Sequence, residues 1–483
     1  MGAARRLGGT IRSWCGGPPA RNPRPPLYPV VMAPDCPPRG PRRQTAVRRL
    51  ATLLGLGLVL LAAGIGSGNR PGGPLRMLSF GAVAAAADQS ASPVPTTNPT
   101  TTPAPTPTPI PTTIPASALQ ARLNALRVQY HVPGVSVTII WPDGRSWIGV
   151  NGWADVKRHV PVVAGTAFSV GSVSKTFLAA LILQLAGENR LSFDDPVVRW
   201  LPTARVSSAV TIRELLDHTS GLYDFFSNPT IDAAIIADKR RVWTPARALG
   251  YMRSPYCAAG TCWHYSNSNY VLLGQVVQQV TGKPLVTELR RRFFDPLHLI
   301  RTFVQGGEAR RGTLATSYQV LGWGSSIRTV SQSDGTAISP FTSVVTAAGS
   351  AGAIAASSRD LAVWARRLYG GAVLRPDSLV AMLDVSQSLS AGSAVRYGLG
   401  AEEGWLGGRR TVGHNGRLIG AEASIRYLPD SGFSIAVVTN QDRVGPDLFV
   451  AALLDIAFPL APPTPTPPPS PTLVPPSTSP SQV

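Results

Sequence analysis

The stretch Phe168-Ser-Val-Gly-Ser-Val-Ser-Lys175 leads from an extended segment into an apolar helix. Residues three apart on a helix lie on the same face, so the Ser172 hydroxyl and the Lys175 amine can meet. Lysine is scarce in this chain, with four in 483 residues, and the apolar run 177–183 predicts a buried helix. Because a buried lysine requires a partner or a function, the stretch predicts a nucleophilic serine with an amine beside it.

Both ends of the surrounding region are patterned as β-hairpins. Residues 134–140 and 146–152 flank a Pro-Asp-Gly turn, and residues 422–428 and 433–439 form a matching pair. Helices are predicted at 175–188, 212–218, 268–281, 358–369 and 447–458. Because strands lie at both ends and helices between them, we predict an α+β fold. One antiparallel sheet is built from both chain ends and flanked by helices, with a largely helical lobe inserted.

The positive charge of the chain is concentrated near its amino end. The formal net charge is +19, and residues 1–49 contain ten arginines. This Arg-, Pro- and Gly-rich segment has no periodicity, so we expect a basic, disordered leader. The arginines precede an apolar run and form no basic helix face or aromatic-interleaved stripe. They therefore indicate membrane topology, and no nucleic-acid partner is expected.

The apolar run covers residues 50–66, directly after Arg48 and Arg49. Seventeen residues is short for a spanning helix, and four glycines weaken the segment further. A signal-peptide core and a membrane anchor both fit this pattern. We therefore expect an exported protein, in the cell envelope or secreted, that is held at the membrane only if this segment is not cleaved.

Pro/Thr-rich stretches border the main region. Residues 88–116 form a linker, and residues 462–483 form a Pro/Thr/Ser-rich tail. Such compositions bury no core and favour extended polyproline II. Both segments can be semi-rigid spacers, which would suit association with peptidoglycan, or plain disorder, and the two interpretations are compatible. Between them we predict a single domain over residues 117–461.

Cys257 and Cys262 enclose a short Ala-Ala-Gly-Thr loop. In an exported protein, such close spacing favours a disulfide. A metal site with His264 is a second interpretation, but no fourth ligand stands at a zinc-like spacing. A free, buried pair of thiols is the third.

Two further stretches follow Ser172 and Lys175 in a meaningful order. These are Tyr265-Ser-Asn267 and His414-Asn-Gly416. Together the three motifs resemble those of the penicillin-recognising serine hydrolases, which include D-alanyl-D-alanine carboxypeptidases, class C β-lactamases and related esterases. The resemblance covers 117–461 and implies a DD-peptidase/β-lactamase-like fold. The histidine in the third motif makes secreted D,D-carboxypeptidases the most similar in pattern.

The resemblance implies a role for each matched residue. Ser172 is the nucleophile, and its backbone N–H lies at a helix start, where it supports an oxyanion. The backbone N–H of Arg417, after Gly416, is the second oxyanion donor. Asn267 is expected to hydrogen-bond Lys175 and a substrate amide.

Either Lys175 or Tyr265 can serve as the general base, and the sequence does not distinguish them. A tyrosine has an ordinary pKa of about 10, too high for a base at neutral pH. Lys175 and a protonated His414 near Tyr265 would stabilise its phenolate. Tyr265 could then take the Ser172 proton and pass it to the leaving amine.

One departure from the family pattern concerns the substrate's carboxylate. The carboxypeptidases carry an arginine just after a Gly-Leu-Gly segment, where this chain has Ala401-Glu-Glu403. We expect Arg417 to bind the carboxylate instead, with Arg409 and Arg410 as alternatives. Asn415 and Tyr223 are also predicted to contact the substrate. His218 begins a turn at a helix end, and we interpret it as structural.

These residues predict a serine hydrolase, by resemblance a D,D-carboxypeptidase or D-amino-acid peptidase acting on cell-wall-type peptides. An esterase or β-lactamase on the same scaffold is an alternative, and a non-catalytic penicillin- or wall-binding module is a third. The expected substrate is a small peptide, ester or β-lactam. No metal or cofactor is expected, because the sequence contains no His-Glu-x-x-His motif and no phosphate-cradling glycine loop.

Overall fold

The computed structural model describes residues 113–322 and 326–460, all within one structural unit. The predicted leader, apolar segment and tail lie outside these residues, as does the linker up to residue 112. In the described part of the chain, no helix is both long and apolar enough to cross a bilayer.

The strands and helices alternate irregularly along the chain. The strands are β1 Gly134–Ile140, β2 Ser146–Asp155, β3 Val160–Pro161, β4 Phe168–Ser169, β5 Phe303–Val304, β6 Tyr318–Leu321, β7 Arg328–Ser331, β8 Ile354–Ala356, β9 Arg396–Tyr397, β10 Glu402–Leu406, β11 Arg409–Leu418, β12 Ala421–Leu428 and β13 Phe433–Thr439. The helices are α1 Ala116–Gln129, α2 Ser174–Gly187, α3 Ile212–Asp217, α4 Pro229–Ala237, α5 Pro245–Leu249, α6 Asn267–Thr281, α7 Leu285–Leu289, α8 Thr342–Ala348, α9 Ser358–Tyr369, α10 Pro376–Leu383, α11 Ser386–Ser390 and α12 Asp447–Ala457.

The main sheet joins the two ends of the domain. Within residues 113–322 and 326–460, its eight strands follow the order β3-β2-β1-β13-β12-β11-β10-β9. The first strand and the last strand are antiparallel neighbours, with Val135 opposite Thr439. This confirms the predicted α+β fold with a sheet built from both chain ends.

Helices cover both faces of this sheet, so β1 and β13 are buried along their whole length. α1 and α12 pack on one face, and α9 packs on the other. Two polar residues of β1, Ser136 and Thr138, point to the α9 side. Each lies 2.8 Å from the hydroxyl of Ser358 at the start of α9, which satisfies their hydrogen-bonding groups within the core.

α2 is the central helix of the helical lobe and carries the reactive residues at its start. Its side chains are buried on nearly every side, as expected of a helix that is apolar all round. Phe177 stacks on Trp364 of α9 with ring centroids 4.0 Å apart, and the Trp364 indole N–H donates to Thr176. A small sheet, β4-β8-β5, holds the extended segment that precedes α2. These contacts fix Ser172 and Lys175 between the lobe and the main sheet.

Candidate active site

Ser172 lies in a single 3-10 turn that leads directly into α2. Gly171, before it, has a positive φ of 49°, and a Cβ there would lie 2.6 Å from the backbone nitrogen of Arg417. Gly416 is similarly confined, because a Cβ would lie 3.0 Å from the backbone nitrogen of Ser172. Only glycine allows this approach. The two backbone nitrogens predicted as oxyanion donors are thereby brought close to each other.

Lys175 is fully buried, and its amine contacts three oxygens. Nζ lies 2.9 Å from Ser172 Oγ, 2.8 Å from Asn267 Oδ1 and 3.0 Å from the carbonyl oxygen of Ala351. A neutral amine can donate to two of these oxygens and direct its lone pair at the serine hydroxyl. The geometry therefore suits a general base.

Burial also gives Lys175 the right ionisation for a base. Desolvation lowers the pKa of Lys175 to about 7, although the negative charges of Asp224 and Glu402 oppose this shift. A large fraction of the amine is therefore neutral near pH 7, where an ordinary lysine would be almost fully charged. Of the two bases that the sequence allowed, the structure favours Lys175.

The Tyr265 hydroxyl lies 2.7 Å from Ser172 Oγ, and Lys175 Nζ lies over the Tyr265 ring, 4.9 Å from its centroid. Burial raises the pKa of Tyr265 well above its ordinary value. This shift argues against the phenolate form of Tyr265, because desolvation disfavours the charged form more than neighbouring groups stabilise it. A neutral phenol at this distance suits a proton donor.

His414 does not supply the second cation that the phenolate required. Its ring is buried and contacts the hydroxyl of Tyr397 at 2.9 Å through Nε2. Burial lowers the pKa of His414, so the imidazole is neutral at pH 7. Tyr397 lies between His414 and Tyr265, and its ring is 6.4 Å from that of Tyr265.

The expected carboxylate contact of Arg417 is not supported. Along β11, side chains alternate between faces, and Gly416 takes the position facing Ser172. The side chain of Arg417 leaves in the other direction, where Nε lies 3.2 Å from Glu422 Oε1 and the guanidinium donates to the Asp442 carbonyl.

The two alternative arginines also have partners elsewhere. Arg409 pairs with Asp455 at 3.0 Å, and Arg410 pairs with Glu403 at 2.6 Å. Asn415, predicted to bind substrate, instead donates from Nδ2 to Asp447 Oδ2 at 2.7 Å.

Tyr223 lies on the segment that enters the site. Its ring packs against that of Tyr256, with ring centroids 5.0 Å apart. Its backbone carbonyl accepts a 2.7 Å hydrogen bond from the Ser268 hydroxyl. Cys257, next to Tyr256, is joined to Cys262 in a disulfide. His264, considered as a metal ligand, stacks its ring on Tyr256 with centroids 4.2 Å apart.

Glu402 and Arg426 form a charged pair that the sequence did not assign. Arg426 Nη1 lies 3.2 Å from Glu402 Oε2, and Nη2 lies 2.8 Å from Asp447. The other oxygen of Glu402 lies 3.6 Å from His414 Nδ1, and a quarter of the Glu402 side chain is exposed (26%). Arg426 could have been singled out from the sequence, because it is a lone arginine in an otherwise mostly apolar strand.

A family model described as Beta-lactamase matches residues 117–457. The chain belongs to the β-lactamase family. Within it, the chain is 26% identical over 332 residues to a D-aminopeptidase of Cereibacter sphaeroides, covering 67% of this chain and 60% of the relative. It is 29% identical over 340 residues to penicillin-binding protein 4 of Amycolatopsis lactamdurans, covering 66% of this chain and 84% of the relative.

A solved structure of a D-stereospecific amidohydrolase from a Streptomyces species has the same β-lactamase-like fold. The TM-score is 0.59 at 29% sequence identity, over 71% of this chain and 98% of that one. The chain thus spans about 60% of the length of the D-aminopeptidase relative and nearly all of the amidohydrolase.

Proposed function

We propose that this protein is a serine hydrolase that removes D-amino acids from amides and short peptides through an acyl-enzyme at Ser172. One observation carries the proposal: Lys175 Nζ and the Tyr265 hydroxyl both lie within hydrogen-bonding distance of Ser172 Oγ, at 2.9 and 2.7 Å. A nucleophile that contacts both a base and an acid is the arrangement that acyl transfer requires. The names of the D-aminopeptidase and the D-stereospecific amidohydrolase support the D-configuration of the substrate.

The reaction follows from these contacts. Neutral Lys175 takes the Ser172 proton as Oγ attacks the substrate carbonyl, and the oxyanion is stabilised by the backbone N–H groups of Ser172 and Arg417. The Tyr265 phenol then protonates the amine as the C–N bond breaks. The proton on Lys175 restores the Tyr265 hydroxyl, and water releases the acid by the same steps in reverse.

Charges around the nucleophile favour a substrate with a free amino group. Asp224 and Glu402 both lie near enough to Lys175 to affect its pKa. Each of the three arginines proposed to bind a carboxylate is engaged with other groups. Because these arginines are engaged, none of them is free to bind a terminal carboxylate of a substrate, and the acidic groups near Lys175 do not favour one. We propose an aminopeptidase or amidase preference over carboxypeptidase activity.

A penicillin-binding carboxypeptidase is the second candidate, favoured by the likeness to penicillin-binding protein 4. The full chain and its Ser172→Ala variant would be assayed with D-alanine amide, L-alanine amide, an acetylated D-Ala-D-Ala peptide and a fluorescent penicillin. The proposal expects Ser172-dependent release of ammonia from the D-amide alone. Release of D-alanine from the acetylated peptide, with the D-amide left intact, would favour the second candidate. Turnover of none of the amides, peptides or penicillin would contradict both.

We also propose that the domain acts outside the cytoplasm, in the cell envelope or secreted. The basic leader, the apolar segment 50–66 and the disulfide between Cys257 and Cys262 support this location. Membrane anchoring and peptidoglycan association depend on the terminal segments. Cell fractionation with amino-terminal sequencing of the mature protein tests the proposal, and recovery of intact chain in the cytoplasm alone would contradict it.

A further inference from the structure

His218 makes contacts on both sides of Tyr265. It is buried at the end of α3, where its backbone is left-handed (φ 67°). Its carbonyl oxygen accepts a hydrogen bond from the backbone N–H of His264 at 3.0 Å. Its side-chain Nδ1 accepts one from the backbone N–H of Ser266 at 3.1 Å. A single residue therefore holds both chain neighbours of Tyr265.

The imidazole of His218 also packs directly against the tyrosine. The two ring centroids are 4.3 Å apart, and the planes are inclined by 35°. Tyr397 and Tyr270 lie against the same imidazole, with centroids 4.9 and 5.3 Å away. The ring of Tyr265 is thus supported by the residue that also fixes its backbone.

Hydrogen bonds determine which nitrogen of His218 carries the proton. Nδ1 lies 3.4 Å from the side-chain amide nitrogen of Asn269, whose amide orientation is set because its oxygen accepts a bond from Ser220. Nδ1 therefore faces two donors, the Ser266 N–H and the Asn269 amide, and must be unprotonated. Burial and the nearby Lys175 lower the pKa of His218, so the ring is neutral with its proton on Nε2.

The two nitrogens thus differ in function. Nδ1 is an acceptor for the backbone beside Tyr265, whereas Nε2 has no hydrogen-bond partner among the described residues. We propose that His218 is a positioning residue that holds the Tyr265 hydroxyl at Ser172 during proton delivery to the leaving amine. The inference rests on the proposed function, because it assigns Tyr265 the role of acid. A displacement of about 1 Å at such a group can reduce a rate on the order of 100-fold.

Two amide substitutions test the roles of Nδ1 and Nε2 of His218 separately. His218→Asn places an oxygen close to the position of Nδ1 and tolerates the left-handed backbone. In His218→Gln, the longer side chain places its amide close to the position of Nε2, so the Ser266 N–H loses its acceptor. We expect His218→Asn to keep most of the kcat for D-alanine amide. His218→Gln should lose roughly 10- to 100-fold in kcat with little change in KM.

Tyr265→Phe provides the control for a merely structural effect. If His218 acts through the Tyr265 hydroxyl, His218→Gln should cause little further loss of kcat in the Tyr265→Phe background. The melting temperature of each variant is measured alongside. Equal losses in both backgrounds, or equal kcat values for the Asn and Gln variants, would overturn the proposal.

A substrate comparison separates this inference from the proposed function. A p-nitrophenyl ester has a leaving group that needs no proton, so its acylation rate, measured as the burst of p-nitrophenol, should fall much less in His218→Gln than the acylation rate with the amide. If the wild type hydrolyses no D-amino-acid amide, the proposed function fails. An alkyl ester, whose leaving group does need a proton, then replaces the amide in the same comparison, and parallel losses on both esters would refute the role of His218.

Discussion

Asp224 accepts hydrogen bonds from both the backbone N–H and the side-chain amide of Asn267, at 3.2 and 3.1 Å. Because the amide nitrogen is held by the carboxylate, the amide oxygen faces Lys175, where it accepts a 2.8 Å hydrogen bond. Asp224 is buried, and its negative charge opposes the desolvation that lowers the pKa of Lys175. One carboxylate therefore sets both the orientation of Asn267 and the ionisation of the base.

Asp224→Asn should lower turnover of D-alanine amide by about tenfold. The new side chain has only one oxygen to accept the two hydrogen bonds from Asn267, and its amide nitrogen would face a second donor, so Asn267 would no longer be held in place. Loss of the negative charge should also lower the pKa of Lys175, so the acidic limb of the pH–rate profile moves to lower pH. Profiles of kcat/KM against pH check both effects. Asp194→Asn, at an exposed ion pair with Arg213, is the matched control. An unmoved acidic limb would contradict this assignment.

The wild-type rate should rise with pH through about 7, where Lys175 loses its proton. The sign follows from the role of a base: the protonated amine below this pH cannot accept the Ser172 proton, and the neutral amine above it can. The kcat/KM for an uncharged ester, measured from pH 5 to pH 9, checks this dependence. A rate that falls through pH 7 would require a protonated Lys175.

Lys175→Arg should abolish acylation, with a loss on the order of 10²–10⁴-fold. A guanidinium keeps the positive charge but cannot be deprotonated in this pH range, and its planar shape does not fit the three oxygens around Nζ. The rate of Ser172 labelling by a fluorescent penicillin, or the burst of an ester substrate, measures acylation. An active Arg variant would mean that Lys175 acts only as a cation.

Arg417→Ala should leave the substrate preference unchanged. The side chain pairs with Glu422 on the face of β11 that is turned away from Ser172, so it does not reach a substrate bound at the nucleophile. Rates for a peptide ending in a free carboxylate and for a neutral ester should change in parallel. Arg410→Ala, whose partner is Glu403, serves as control. A selective loss on the carboxylate substrate would restore Arg417 as its ligand.

Because Cys257 and Cys262 form a disulfide, neither should be alkylated without prior reduction in protein recovered from the cell envelope. Its short loop is tied to the segment after α3 by a backbone hydrogen bond from the Gly260 N–H to the Thr219 carbonyl. Replacing both cysteines by serine should reduce the free energy of unfolding by about 2 kcal/mol, from the loop-closure entropy of so short a ring. Urea denaturation measures the change. Two reactive thiols in the native protein would refute the prediction.

Much of the fold and of the nucleophile's surroundings could be predicted because the signals are local. Alternation and turn residues defined the hairpins around 134–140 and 433–439, and the short spacing from Ser172 to Lys175 placed both on one helix face. The family pattern then supplied Tyr265 and Asn267, which the structure brings to within hydrogen-bonding distance of that pair.

The ionisation of the cleft could not be predicted, because it depends on burial produced by the whole fold. Tyr265 is half-buried and His414 is buried, and desolvation dominates the shifts of their pKa values. The direction of the Arg417 side chain depends on which face of β11 meets the nucleophile. The pairing of Glu402 with Arg426 joins separate strands, and nothing in the sequence around either residue indicates the other.

The pairing of β1 with β13 determines when the domain can complete its folding. During synthesis the β1–β2 hairpin leaves the ribosome early, whereas β13, the partner of β1, is the last strand of the described residues to be made. Until then, β1 presents an open, largely apolar edge, which is a template for aggregation, and pairing over such sequence distances is slow. A nascent chain of this topology is therefore prone to aggregation until β13 has paired with β1. In the proposed export of this protein, the same delay would keep the sheet open while the chain passes through a translocation pore.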